Sequence, residues 1–130
     1  MRRLITRSVA LLLVVGMWSA VSAAPDFEVL ARDTLAELSS GAFDKVAARF
    51  DGKMTAGLPR EKLVAVWDGL VGQAGAFKSV TSARVFDVPA QSVHVVDLTA
   101  AFENAAIIVR VAFNSEGRIA GLFFLPPKTP

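Results

Sequence analysis

Between Val93 and Phe113 the apolar and polar positions interlock in a single register. Closing Phe102-Glu103-Asn104-Ala105 as a two-residue hairpin sets Ala100 opposite Ile107, Leu98 opposite Val109, Val96 opposite Val111 and His94 opposite Phe113. Directly opposed residues of an antiparallel pair share a face. These eight therefore predict one apolar sheet face bearing a lone histidine. The same register sets Asp97 opposite Arg110 on the other face, with Thr99 beside Ile108 and Val95 beside Ala112. A slip of one residue would give Asp97 an apolar neighbour, so the pattern selects its own pairing. Asn104 is expected to take the left-handed backbone of such a turn.

Asn114-Ser115-Glu116-Gly117 predicts a type I turn with a glycine bulge, pairing Asn114 with Arg118. Simple alternation beyond it puts Ile119, Phe123 and Leu125 on the core face, and Ala120, Leu122 and Phe124 on the other. Pro126 and Pro127 end the strand, because proline donates nothing to a ladder. An earlier strand, Phe77 to Val88, alternates weakly and closes at Pro89.

Upstream the period changes to that of helices. Phe27, Leu30, Ala31, Thr34, Leu35 and Leu38 fall at helical spacing from Asp26 to Leu38, and Gly41 follows. A shorter helix over Ala42–Phe50 buries Phe43, Val46, Ala47 and Phe50, and Asp51-Gly52 stops it. Lys53 to Leu58 reads as a loop with one apolar residue, Met54. Pro59 opens a third helix with Leu63, Val66, Trp67 and Leu70 as its buried stripe. Gly69, Gly72 and Gly75 are spaced by three, which is a weakened helix end capped at Gly75 rather than a phosphate cradle. Three helices followed by four antiparallel strands predict an α+β domain, with the helices on one face of a curved sheet.

Composition changes this picture at the N-terminus. Arg2, Arg3 and Arg7 precede an apolar run from Val9 to Met17, and Val21-Ser22-Ala23 fits a cleavage site. This is the layout of a secretory signal peptide over residues 1–23, with a single domain over 24–130 and an exported product, periplasmic or extracellular. An uncleaved anchor is the alternative, but a span needs about 20 apolar residues. Of the 14 basic residues three lie in that leader; the remaining 11 face 12 acidic ones, a net charge of −1. The basic isoelectric point thus belongs to the leader, and no basic patch argues for nucleic acid or anionic lipid. Cysteine is absent, so stability rests on packing.

The ordered combination Gly41-x-Phe43-Asp44, Phe50-Asp51-x-x-Met54, Leu58-Pro59, Leu63, Trp67-x-x-Leu70 and Gly75-x-Phe77 resembles the domain of unknown function 3887. So does Phe113-Asn114-x-x-Gly117-x-Ile119-x-Gly121-Leu122-x-Phe124, and the likeness runs from about Leu35 to Phe124. The resemblance implies a nuclear-transport-factor-2-like, or cystatin-like, fold of helices cradled by a bent sheet. It implies no reaction and no catalytic residue.

The chemistry on offer is sparse. His94 is the only histidine; with no cysteine, multi-histidine and thiolate metal sites are excluded, and no cofactor is expected. Asp97 lies on the opposite face, so it does not partner His94. His94 is read first as a core-edge residue, next as a polar contact in a pocket, and last as a general base. With Trp67, Phe77, Phe113, Phe123 and Met54 it forms a candidate apolar ligand pocket, against the plainer reading of core packing. Val95, Ile108, Ala112, Leu122 and Phe124, flanked by the Asp97–Arg110 pair, form a candidate interface for a second copy on the outer sheet face. The expected function is a non-catalytic ligand-binding or protein-interaction module. A small isomerase or cyclase built on His94, or a structural envelope protein, are the alternatives.

Overall fold

A computed structural model describes residues 26–127; the expected leader lies outside them. Helices α1 (Phe27–Ser39), α2 (Phe43–Ala48), α3 (Gly52–Gly57) and α4 (Arg60–Ala74) come first. Strands β1 (Phe77–Val88), β2 (Val93–Phe102), β3 (Ala106–Phe113) and β4 (Ile119–Leu125) follow as one antiparallel sheet in the order β1-β2-β3-β4. The protein is therefore α+β, with helices and strands segregated along the chain. Among the described residues, no helix is long and apolar enough to cross a membrane.

Helices α1 and α3 each start at an aspartate whose side chain satisfies a free amide. Asp26 accepts from the Val29 N–H at 3.2 Å and caps α1, whose Ala31, Thr34, Leu35 and Leu38 are buried at helical spacing. The Thr34 hydroxyl donates to the Leu30 carbonyl at 2.8 Å, so it is buried without an unmet bond. The expected loop after Asp51 is instead α3. Asp51 accepts from Met54 N–H at 2.8 Å, which makes it a helix N-cap rather than a stop. The segment lacks apolar periodicity, so only the cap announces it. In α4, Leu63 and Trp67 are buried, but Val66 of the expected stripe is 43% exposed.

The β2–β3 pairing has the expected register from His94 opposite Phe113 to Ala101 opposite Ala106. Its turn differs in one respect. Ser92 is the only non-glycine described with positive φ, so Asn104 is not left-handed. The turn is held from outside instead. Glu103 N–H donates to the Ala76 carbonyl, Asn104 N–H donates to the Ala74 carbonyl, and the Glu103 carboxylate accepts from Ala76 N–H at 2.9 Å. Gly75, at φ +86°, permits this docking; a Cβ there would lie 2.6 Å from that of Glu103.

The weak alternation of β1 also has a cause. Register shifts between Phe77 and Ser79, and again between Val80 and Ser82, each insert one extra residue. Phe77, Val80 and Ala83 therefore follow one another by three and still pack on the same core.

One face assignment is corrected. A bulge in β4 opposite Ala112–Phe113 makes Ala120 an extra residue. Leu122 then pairs with Val111 and Phe124 with Val109 on the inner face, while Phe123 pairs with Arg110 and Leu125 with Ile108 on the outer face. Alternation carried through the turn is inverted by that one residue. The inner face, with Val96, Leu98, Val109, Val111 and Phe113, packs on Leu35, Leu38, Val46, Leu63 and Trp67 as one core.

Candidate functional site

The expected pocket residues do not converge. Trp67 packs against Phe102 and Phe124 at centroid distances of 5.9 and 6.0 Å, and Phe77 meets Phe102 at 5.7 Å. His94 lies eight residues along β2 from Phe102, roughly 25 Å at the usual strand rise, and there Phe27 stacks on the imidazole at 4.5 Å and meets Phe113 at 5.3 Å. Met54 is partly buried against the core, and Phe123, 51% exposed, is on the other face. Of the expected interface residues, Leu122 and Phe124 face the core. Val95 and Ala112 do lie on the outer face, but at 4% and 9% exposure they are covered by their own neighbours.

Recesses open at the surface of the described residues instead, among them three of about 330–420 Å³. The first, about 420 Å³, is a groove between α4 and the edge strand β4. Val66, Leu70 and Gln73 form one wall; Leu122, Phe123, Phe124 and Leu125 form the other. It exists because the β4 bulge turns Phe124 in toward Trp67 and Phe123 out. The Ile119 end of the β4 edge is covered by the chain before α3: Asp51 N–H donates to the Ile119 carbonyl at 2.9 Å, and Ile119 N–H to that of Arg49 at 2.8 Å.

The second recess, also about 420 Å³, lies on the outer sheet face. Register builds it as rows across four strands. Arg84, Asp97, Arg110 and Phe123 form one row; Ser82, Thr99, Ile108 and Leu125 form the next. Arg110 donates to both oxygens of Asp97, at 2.7 and 2.9 Å, as the sequence pairing predicts. Hydrogen bonding to Asp97 raises the pKa of Arg110 above its ordinary value. Arg84 stacks over the Phe86 ring, its guanidinium carbon 4.4 Å from the centroid. Pro126 and Pro127 close the recess at the β4 side.

The third, about 330 Å³, surrounds His94 with Asp87, Pro89, Ser92, Val93 and Ser115. His94 does have a carboxylate partner: its Nδ1 lies 2.7 Å from Asp87 Oδ1. In the neutral ring this bond places the proton on Nδ1 and leaves Nε2 as an acceptor. Asp87 escaped the sequence reading because it lies on β1, whose pairing with β2 is set by a helical turn at Pro89–Gln91 that has no two-residue hairpin pattern. Arg84 and Phe86 were missed for the same reason.

The chain belongs to the family described as "Protein of unknown function (DUF3887)", whose model matches residues 31–122, more than half of its length. No curated protein and no solved structure matches the chain.

Proposed function

We propose that the protein is an exported, non-catalytic binding module with a nuclear-transport-factor-2-like fold, and that it engages its ligand or partner along the β4 side. One observation carries this reading. Two recesses of about 420 Å³ both include Leu125 and so meet at the β4 edge, and two of the four exposed large apolar side chains among the described residues stand at the first of them, Val66 at 43% and Phe123 at 51%. Apolar exposure beside concave surface marks a contact site. The arginine-led apolar leader supports export, and helices followed by four antiparallel strands support the fold.

The test is an uncharged fluorescent naphthylamine titrated into the purified protein. Saturable enhancement is expected, reduced at least fivefold by Val66→Asp together with Phe123→Asp. Unchanged enhancement in that double variant would refute the β4 site. If a second copy is the occupant, sedimentation will show a concentration-dependent dimer that Phe123→Asp abolishes. Secretion is checked separately, by an intact mass beginning at Ala24 in the exported fraction.

A second reading has its own observation. The Asp87–His94 pair, opening onto a recess, is the arrangement of an oriented base. On the isomerase reading, Asp87→Asn and His94→Ala abolish the same turnover; on the module reading both leave naphthylamine binding unchanged.

A further inference from the structure

We propose that the recess on the outer sheet face binds a small monocarboxylic acid with an apolar body, its carboxylate pairing with Arg84. This rests on the reading of the protein as a binding module and names the ligand class for one of the two recesses that meet at β4.

The argument begins with which charges are already committed. Asp97 is 8% exposed and both its oxygens are taken by Arg110. Arg84 is the cross-strand partner of the same aspartate on its other side, yet has no carboxylate within ion-pairing distance among the described residues. The three charged groups lining the recess therefore sum to +1, and the excess sits on Arg84. One singly charged anion balances it. A cation is repelled, and a doubly charged anion is left half-compensated.

Arg84 is also prepared for the task. Stacking over Phe86 holds the plane of the guanidinium and leaves its donor edge free, which lowers the ordering cost of binding. A planar fork of N–H donors matches the two oxygens of a carboxylate. The hydroxyls of Ser82 and Thr99 line the same recess on the β1–β2 side, and Ile108, Leu125, Pro126 and Pro127 line the β3–β4 side. Neither proline carries a backbone donor, so that wall offers little to a polar group. The site is thus polar at one end and apolar at the other, across a sheet roughly 14 Å wide. At about 420 Å³ it has the size of a small-molecule site rather than of a protein interface.

The probes are octanoate, octanol and octylamine, each followed by amide chemical shifts of the purified, isotope-labelled protein. Octanoate is expected to shift Thr99, Ile108 and Arg110 saturably. Octanol should bind there at least tenfold more weakly, and octylamine not at all. Arg84→Gln should weaken octanoate at least tenfold while leaving the melting temperature unchanged, and Arg84→Lys should restore part of the loss. Ile108→Trp, which fills the recess, gives an independent block. Equal binding of octanoate and octanol, retention of octanoate by Arg84→Gln, or the absence of saturable shifts would each overturn the proposal. Naphthylamine binding at the α4–β4 groove survives any of these results, so failure of the acid site and failure of the module reading are told apart.

Discussion

The inner and outer faces of the sheet are woven from alternate residues of the same four strands, yet they are stabilised differently. On the inner face Val96, Leu98, Val109 and Val111 are fully buried against helices α1, α2 and α4. There another layer of the chain excludes water, and the stabilisation is hydrophobic burial. Among the described residues the outer face has no such layer. Val95 and Ala112 are covered by side chains lying sideways within the face itself. Phe86 lies beneath Arg84, with Arg110 5.8 Å from its centroid, and the Phe123 ring lies so close to Gly121 that a Cβ there would be 2.9 Å away. A sheet face with no covering layer thus stays half-wet, with its charges paired and its aromatics flat. It is also the face that keeps a recess and an uncommitted arginine.

Inserting one residue between Gly121 and Leu122 attacks the division directly. With the rest of β4 shifted by one step, Leu122 and Phe124 turn outward and Phe123 and Leu125 inward, and two core side chains worth about 1.5–3 kcal/mol each leave the core. Urea unfolding should show the loss, or a chain too unstable to purify. Leu98→Ala on the inner face should cost about 3 kcal/mol by the same measurement, since the site is closed on all sides.

Gly75→Ala forces a left-handed backbone onto a residue with a Cβ and drives that Cβ into Glu103, so it should cost about 2 kcal/mol and loosen the β2–β3 turn. Asp97→Ala on the outer face should cost about 1–2 kcal/mol, less than a core truncation, because the Arg110 it leaves unpaired still reaches solvent. Phe123→Ser should move stability by less than about 0.5 kcal/mol while reducing naphthylamine binding. Were Asp97→Ala to cost as much as Leu98→Ala, the contrast between the faces would not stand.

Much of this fold was legible because its signals are local. Alternation over β2 and β3 admits one register, and Asp97 opposite Arg110 is a consequence of it. The bounds of β1 follow from Pro89, and the cap at Gly75 from the glycine itself. Helix α3 was misread because Asp51-Gly52 serves equally as a stop and as the start of a helix without an apolar stripe. Asn104 was misread because its turn is fixed by the end of α4, which lies far away in sequence. Of the candidate sites, the ion pair was visible and the recess around it was not.

The sequence alone determined the order of helices before strands, the central hairpin register, the absence of cysteine and the single histidine, because each depends on near neighbours or on composition. Which face Phe123 and Phe124 occupy, that His94 meets Asp87, and that Arg84 stands uncommitted were decided by tertiary structure. The bulge at Ala120 set the first of these outcomes, and the turn at Pro89–Gln91, which fixes the register of Ala83 to Val88 on β2, set the other two. A bulge shifts every later side chain by one step, and its energy comes from packing across strands that no local pattern records.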